Sequence, residues 1–189
     1  MVSQRIIIHA PRRCVKRAGQ GGIMTREQYV AMTTRVRRAT GALPSGAKWL
    51  RAPTYLCAAL YLGTLAFLML TGDARLLRTL LVPAVCFLVV TALRPLINRQ
   101  RPYDRFDAEP VGRYRRGKGK SMPSRHTASA AAIAFAVIYA FPTAPVAAGM
   151  LALCALIAAL RVLSGQHYAS DVLVALLLSS ALSAVGYMI

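Results

Sequence analysis

The chain has 189 residues, 56% of them hydrophobic, with a mean hydropathy of +0.47, yet 24 Lys and Arg outweigh 6 Asp and Glu for a formal charge of +18. A soluble basic protein is not this apolar, and a disordered basic tail is poorer in aliphatic residues, so both are excluded. A membrane protein with basic loops reconciles the numbers, and the length suits one small domain.

Residues 1–51 hold eleven Lys or Arg against one acid, Glu27. No secretory signal is visible, since Ile6 to Ile8 is too short for an apolar h-region. Thr25 to Leu43 is expected to form an amphipathic helix, with Thr25 as N-cap and Tyr29, Met32, Val36 and Leu43 on one face. Such a helix lies in the membrane interface with its arginines among anionic headgroups. Codons for Gly21-Gly22 before Met24 can encode a ribosome-binding site, which makes Met24 a candidate start. Residues 1–48 therefore read as a basic tail with an interfacial helix, and residues 49–189 as the transmembrane domain.

A spanning helix needs about 17–25 mostly apolar residues, and five runs come close. They are Ala52 to Thr71, Leu76 to Leu93, Thr127 to Phe141, Ala144 to Leu160 and Val172 to Ile189. The third is short and alanine-rich, which suits the middle of a bundle because small residues let backbones approach. Trp49 and Tyr55 suit the interface. Polar faces at helical spacing are missing, which argues against buried helices of a soluble protein. The expected fold is an all-α integral membrane bundle of about five transmembrane helices plus the N-terminal amphipathic helix. Cys57, Cys86 and Cys154 fall inside these runs, Cys14 lies in the tail, and no CxxC pair exists. That argues against both a zinc knuckle and a disulfide framework.

The polar stretch Arg94 to His126 holds ten Lys or Arg and three acids, Asp104, Asp107 and Glu109. Its Gly119-Lys120-Ser121 hints at a phosphate-binding P-loop. The required upstream glycine is Tyr114, and no strand precedes it, so that reading is set aside.

Three clusters sit at the ends of apolar runs: Arg94 to Pro102, Pro123 to His126, and Arg161 to Asp171. Counting crossings puts all three on one side of the membrane. Arginine forks match phosphate oxygens and stabilise charge in flight. Ser124 stands at a helix N-terminus, where free N–H groups favour an anion. His167 and Asp171 are four apart, so on a helical turn they share a face. The carboxylate would fix the imidazole tautomer and free the other nitrogen to attack phosphorus. His126 could protonate the leaving oxygen and later activate water.

This pattern resembles the type 2 phosphatidic acid phosphatase family, membrane relatives of the vanadium haloperoxidases. The family's first motif is Lys, six residues, Arg-Pro; this chain has Arg94, six residues, Arg101-Pro102. Its second is Pro-Ser-Gly-His; here Pro123-Ser124-Arg125-His126. Its third is Ser-Arg, five residues, His, three residues, Asp; here Leu160-Arg161, His167 and Asp171. The resemblance covers about Ala52 to the C-terminus. It implies a phosphatase with His167 as nucleophile, Asp171 as its partner and His126 as general acid and base. It further implies that Arg94, Arg101, Ser124 and Arg161 bind phosphate, and that no metal or other cofactor is required. The sequence offers no carboxylate cluster for a metal. Three positions depart: Arg94 for Lys, Arg125 for Gly, and Leu160 for Ser. None deletes a catalytic group, and Arg125 could add a phosphate contact.

The implied substrate is a phosphorylated lipid, either a phospholipid or a polyprenyl phosphate. Undecaprenyl diphosphate, phosphatidic acid and phosphatidylglycerol phosphate all fit, and Asp104 to Pro110 is a candidate headgroup filter. Membrane lipids are the expected partners, nucleic acid is not, and the oligomeric state stays open. Twenty-two Lys or Arg share the side of the site, against Arg75 and Arg78 opposite. The positive-inside rule then points the site to the cytoplasm. Two other readings stand beside this one: a catalytically weak binder of anionic lipid, and a soluble vanadate enzyme, which five apolar runs oppose.

Overall fold

The computed structural model describes residues 24–41, 49–112, 114–117 and 119–189. The expectations on Ile6 to Ile8, Cys14, Gly21-Gly22 and Leu43 lie outside the described residues. Seven α-helices are described: α1 Arg26–Ala39, α2 Ala52–Leu70, α3 Leu76–Ile97, α4 Pro102–Arg105, α5 Arg125–Ala140, α6 Ala144–Leu163 and α7 Ala169–Met188. A short 3-10 turn, Trp49–Arg51, leads into α2.

Helix α5 is the axis of the bundle and packs against α2, α3, α6 and α7. Its alanines Ala128, Ala130, Ala131, Ala132, Ala134, Ala136 and Ala140 are all buried. With so little side-chain volume, the four neighbours close around it, as the small-residue run foretold. Helices α2, α3, α6 and α7 are long and apolar enough to cross a membrane. At 16 residues α5 spans only about 24 Å, short of the hydrocarbon core, and the other four sheathe it. The outward faces expose leucine throughout, among them Leu62, Leu70, Leu77, Leu88 and Leu177. An apolar surface this continuous belongs in lipid, and the protein is a multi-pass membrane protein. Cys57, Cys86 and Cys154 are buried free thiols.

The helices run past the apolar runs at the site end. Arg94 lies in the last turn of α3, Arg161 in the last turn of α6 and Asp171 in the first turn of α7. Backbone hydrogen bonding carries a helix beyond its apolar segment wherever the flanking charges find partners.

Helix α1 forms as expected, with a capping box between Thr25 and Gln28, Glu27 in its first turn and Arg37 and Arg38 in its last. Its inner face does not meet lipid. Tyr29 is fully buried and Thr33 nearly so, against other parts of the chain. The Tyr29 hydroxyl donates to the Gly165 carbonyl at 3.0 Å, and its ring packs on Phe106 with centroids 5.4 Å apart. Arg26 Nε donates to the Phe106 carbonyl at 3.1 Å, and Val36 packs with Val111 and Leu50. The expected interfacial face is thus a docking face, because the loops beyond α3 and α6 supply apolar partners.

Candidate active site

The three clusters meet at one end of the bundle. Arg94 and Arg161 are only 6% and 8% exposed. Arg94 Nη2 donates to the Lys120 carbonyl. Arg161 donates to Gln166 Oε1 at 3.0 Å and to Thr54 Oγ1 at 3.2 Å. Neither forms an ion pair among the described residues. Arg101 leans over the Tyr103 ring, 5.8 Å from its centroid. Arg125 and His126 present exposed side chains on the first turn of α5. The charges of Arg161, Arg125 and Arg101 and the ring of His167 all act on His126. Arg94 in turn feels Arg125 and Arg101. The candidate residues therefore share one cationic basin.

Ser124 is fully buried at the N-cap of α5, and its hydroxyl pairs with Thr127 Oγ1 at 3.0 Å. Its backbone N–H donates to the Asp171 carbonyl at 3.1 Å, which ties α5 to α7.

His167 departs from its expected setting. It precedes the α7 N-cap, Tyr168, so it sits on the connecting turn and not on a helical turn shared with Asp171. Its backbone N–H donates to the Arg161 carbonyl at 3.2 Å, which links the two residues through the turn. Nδ1 lies 3.6 Å from Asp171 Oδ2, longer than a hydrogen bond, and has no hydrogen-bond partner among the described residues. Burial pushes the imidazole below the ordinary histidine value, Asp171 pulls it back, and Arg101 and Arg94 add to the downward push. The neutral ring is the form that carries a free lone pair.

The Asp171 carboxylate is fully buried and well supplied with donors. Oδ2 accepts from Ser121 Oγ at 2.5 Å and from the Tyr168 N–H at 3.0 Å; Oδ1 accepts from Arg99 Nη1 at 2.8 Å. Sequence reasoning did not single out Arg99 or Ser121 for this place. Ser121 had surfaced only as the end of a failed P-loop, and its hydroxyl is committed here. Tyr29, Gln166 and Thr54 were missed as well, since their site partners lie on other elements. Leu160 borders a small recess with Arg51, Arg161 and Gln166.

The segment Asp104 to Pro110 is knit into its own loop. Asp104 accepts from the Gly117 N–H, Asp107 pairs with Arg116, and Glu109 accepts from the Tyr114 hydroxyl. Phe106 also faces Tyr168, edge-on at 6.4 Å. Below the basin a cavity of about 270 Å³ opens from Arg125, His126 and Ser129 onto Ala58, Phe87, Ile133 and Ile157. It is charged at its mouth and apolar along its walls. Among the described residues, no three His, Cys, Asp or Glu side chains are grouped as metal ligands.

The profile of the PAP2 superfamily matches residues 75–189. No curated protein sequence matches the chain. Among solved structures, Aquifex aeolicus LpxE aligns with a TM-score of 0.65 at 21% identity, over 86% of this chain and 94% of that one. The transmembrane PAP2 type phosphatidylglycerolphosphate phosphatase from Bacillus subtilis aligns with a TM-score of 0.53 at 22% identity, over 87% of this chain and 77% of that one. At these identities the likeness shows a shared fold.

Proposed function

This chain belongs to the PAP2 superfamily, and from that premise we propose that it is a membrane phosphatase hydrolysing a lipid phosphate or isoprenoid diphosphate through a phosphohistidine. The observation that carries this reading is the pair of buried arginines, Arg94 and Arg161, which form no ion pair among the described residues and lie near Arg125 and His126, the mouth of an apolar cavity. A buried guanidinium that lacks a counter-ion favours an anion, and the apolar walls suit the chain attached to it.

In this reading Arg94, Arg101, Arg161 and Ser124 hold the phosphoryl oxygens, with Arg125 at the mouth. His167 attacks phosphorus through Nε2, since Nδ1 faces Asp171. The N–P bond forms, the bond to the leaving oxygen breaks, and His126 gives that oxygen its proton. Water then attacks phosphorus, His126 takes the water's proton, and the N–P bond breaks to release phosphate. Arginines fixed before the reaction stabilise the equatorial charge without reorganising. The likeness in fold to the Bacillus subtilis phosphatidylglycerolphosphate phosphatase supports a lipid substrate.

The test is phosphate release from a panel of lipid phosphates by the chain purified in detergent, with EDTA present, beside His167→Ala. Release by the parent and not by the variant supports the reading, and the panel ranks the substrates. Silence on every lipid would overturn it in favour of anionic-lipid binding.

The site is proposed to face the cytoplasm. The charge asymmetry supports this, and so does α1, which docks at the site end and keeps its basic residues on that side. Removal of a tag at Met1 by an external protease would contradict it.

A further inference from the structure

The Asp171 carboxylate is buried beside cations that bind it more strongly than a neutral imidazole can: Arg99 pairs with it at 2.8 Å. Arg94 lies close enough to feel its charge, and Arg94 and Arg101 both act on the neighbouring His167. A buried carboxylate in such a setting swings to the best donor, and one swing would both quench a phosphate-binding arginine and abandon the nucleophile. Something has to hold it.

Arg99 has the geometry for that task. It lies between α3 and α4, outside the residues that border the cavity. Its Nη1 donates to Asp171 Oδ1 at 2.8 Å and to Ser170 Oγ at 2.7 Å. Its guanidinium lies 4.4 Å from the centroid of the Tyr168 ring, a cation–π contact that fixes the fork's plane. It thus grips three residues at the start of α7, Tyr168, Ser170 and Asp171. On the other oxygen, Ser121 Oγ and the Tyr168 N–H fix Oδ2, the atom that faces His167 Nδ1. The side chains of Arg99 and Asp171 are 22% and 0% exposed, so solvent screens the pair little.

We propose that Arg99, with Ser121, is a positioning residue: it occupies Oδ1 of Asp171, keeps the carboxylate out of the phosphate-binding arginines, and leaves Oδ2 turned to His167. This rests on the phosphatase reading above. Arg99 touches no reacting atom, so its effect passes entirely through Asp171.

The test uses the full chain in detergent with the best lipid phosphate of the panel. Arg99→Gln is expected to lower kcat about 10- to 100-fold with KM within about 2-fold, as losses of groups that orient a catalytic ligand do. Arg99→Lys, which keeps the charge and loses the fork, should recover part of kcat. Ser121→Ala removes a single hydroxyl and should show the same kcat-only pattern at smaller size. It keeps the question open to refutation if Arg99→Gln fails to fold. In an Asp171→Asn background, Arg99→Gln should cost nothing further, because two residues acting as a unit are not additive. A rise in KM with kcat kept would make Arg99 a phosphate ligand and overturn the proposal. Additive losses, or full activity in both Arg99→Gln and Ser121→Ala, would overturn it as well. A parent chain that releases no phosphate would overturn this inference and the phosphatase reading together. An active parent with an indifferent Arg99→Gln and Ser121→Ala overturns this one alone.

Discussion

At the end of the bundle away from the site, Arg75 closes on its neighbour Asp73 through three side-chain contacts of 2.6 to 3.1 Å and donates to the Ala140 carbonyl at the end of α5. The Asp73 carboxyl is held down at about 2, chiefly by those hydrogen bonds. The loop is short, and its one acid and its nearest base neutralise each other. At the site end the connection from α3 to α5 is long, and the basin arginines Arg94 and Arg161 rest on carbonyl, amide and hydroxyl oxygens. The one carboxylate among them, Asp171, is already claimed by Arg99. The same residue types stand in two settings: where charge is balanced in place it fastens helices, and where it is left over it is available to an anion.

The widest gap between the two ends should open with His167→Ala, expected to lower phosphate release by about 1,000-fold or more while lipid binding survives, read by colorimetric phosphate assay. Next comes Arg161→Ala, which removes a preorganised donor and should lower kcat/KM about 100- to 1,000-fold, the range for loss of one such group. The pH profile of kcat/KM sharpens the contrast further, because it reports the free enzyme. Burial disfavours the His167 imidazolium, so the neutral nucleophile persists as pH falls through the ordinary histidine value. The acid limb is therefore expected below about pH 6.5, and a limb above pH 7 would refute that direction. Tyr29→Phe deletes the phenol's hydrogen bond to Gly165. A loss of about 1 kcal/mol in stability, seen as a lower Tm, and a few-fold drop in kcat are expected. At the opposite end Asp73→Asn should leave phosphate release unchanged, since this half-buried ion pair lies far from the basic clusters. A large effect there would erase the distinction between the ends.

Much of this arrangement was readable from the chain. Apolar runs mark the helices because lipid demands them, and the alanines of α5 announce a central position. The motif spacings place Arg94, Arg101, Ser124, His126, Arg161, His167 and Asp171 at one end. What escaped is what spacing cannot carry. Apolar runs stop at the first charge, so Arg94, Arg161 and Asp171 fall outside the runs although the helices include them, while His167, expected on a helical turn with Asp171, lies before the helix. Arg99 lies inside the six-residue gap of a motif, and its partner is 72 positions away. Tyr29 reads as one apolar residue on an amphipathic face, and nothing local shows that its hydroxyl meets a carbonyl 136 positions on.

That last contact has a mechanical side. Gly165 adopts φ +74, and a Cβ added there would stand 2.6 Å from the Tyr29 hydroxyl oxygen and 2.8 Å from a Thr33 methyl. The N-terminal helix and the turn two residues before His167 therefore fit together as a key in a slot, with no slack for even a methyl group. Any displacement of α1 would be felt at the His167 turn through the Tyr29 phenol and the Thr33 methyl, so the helix acts as a lever on the end of the bundle where the basic clusters meet.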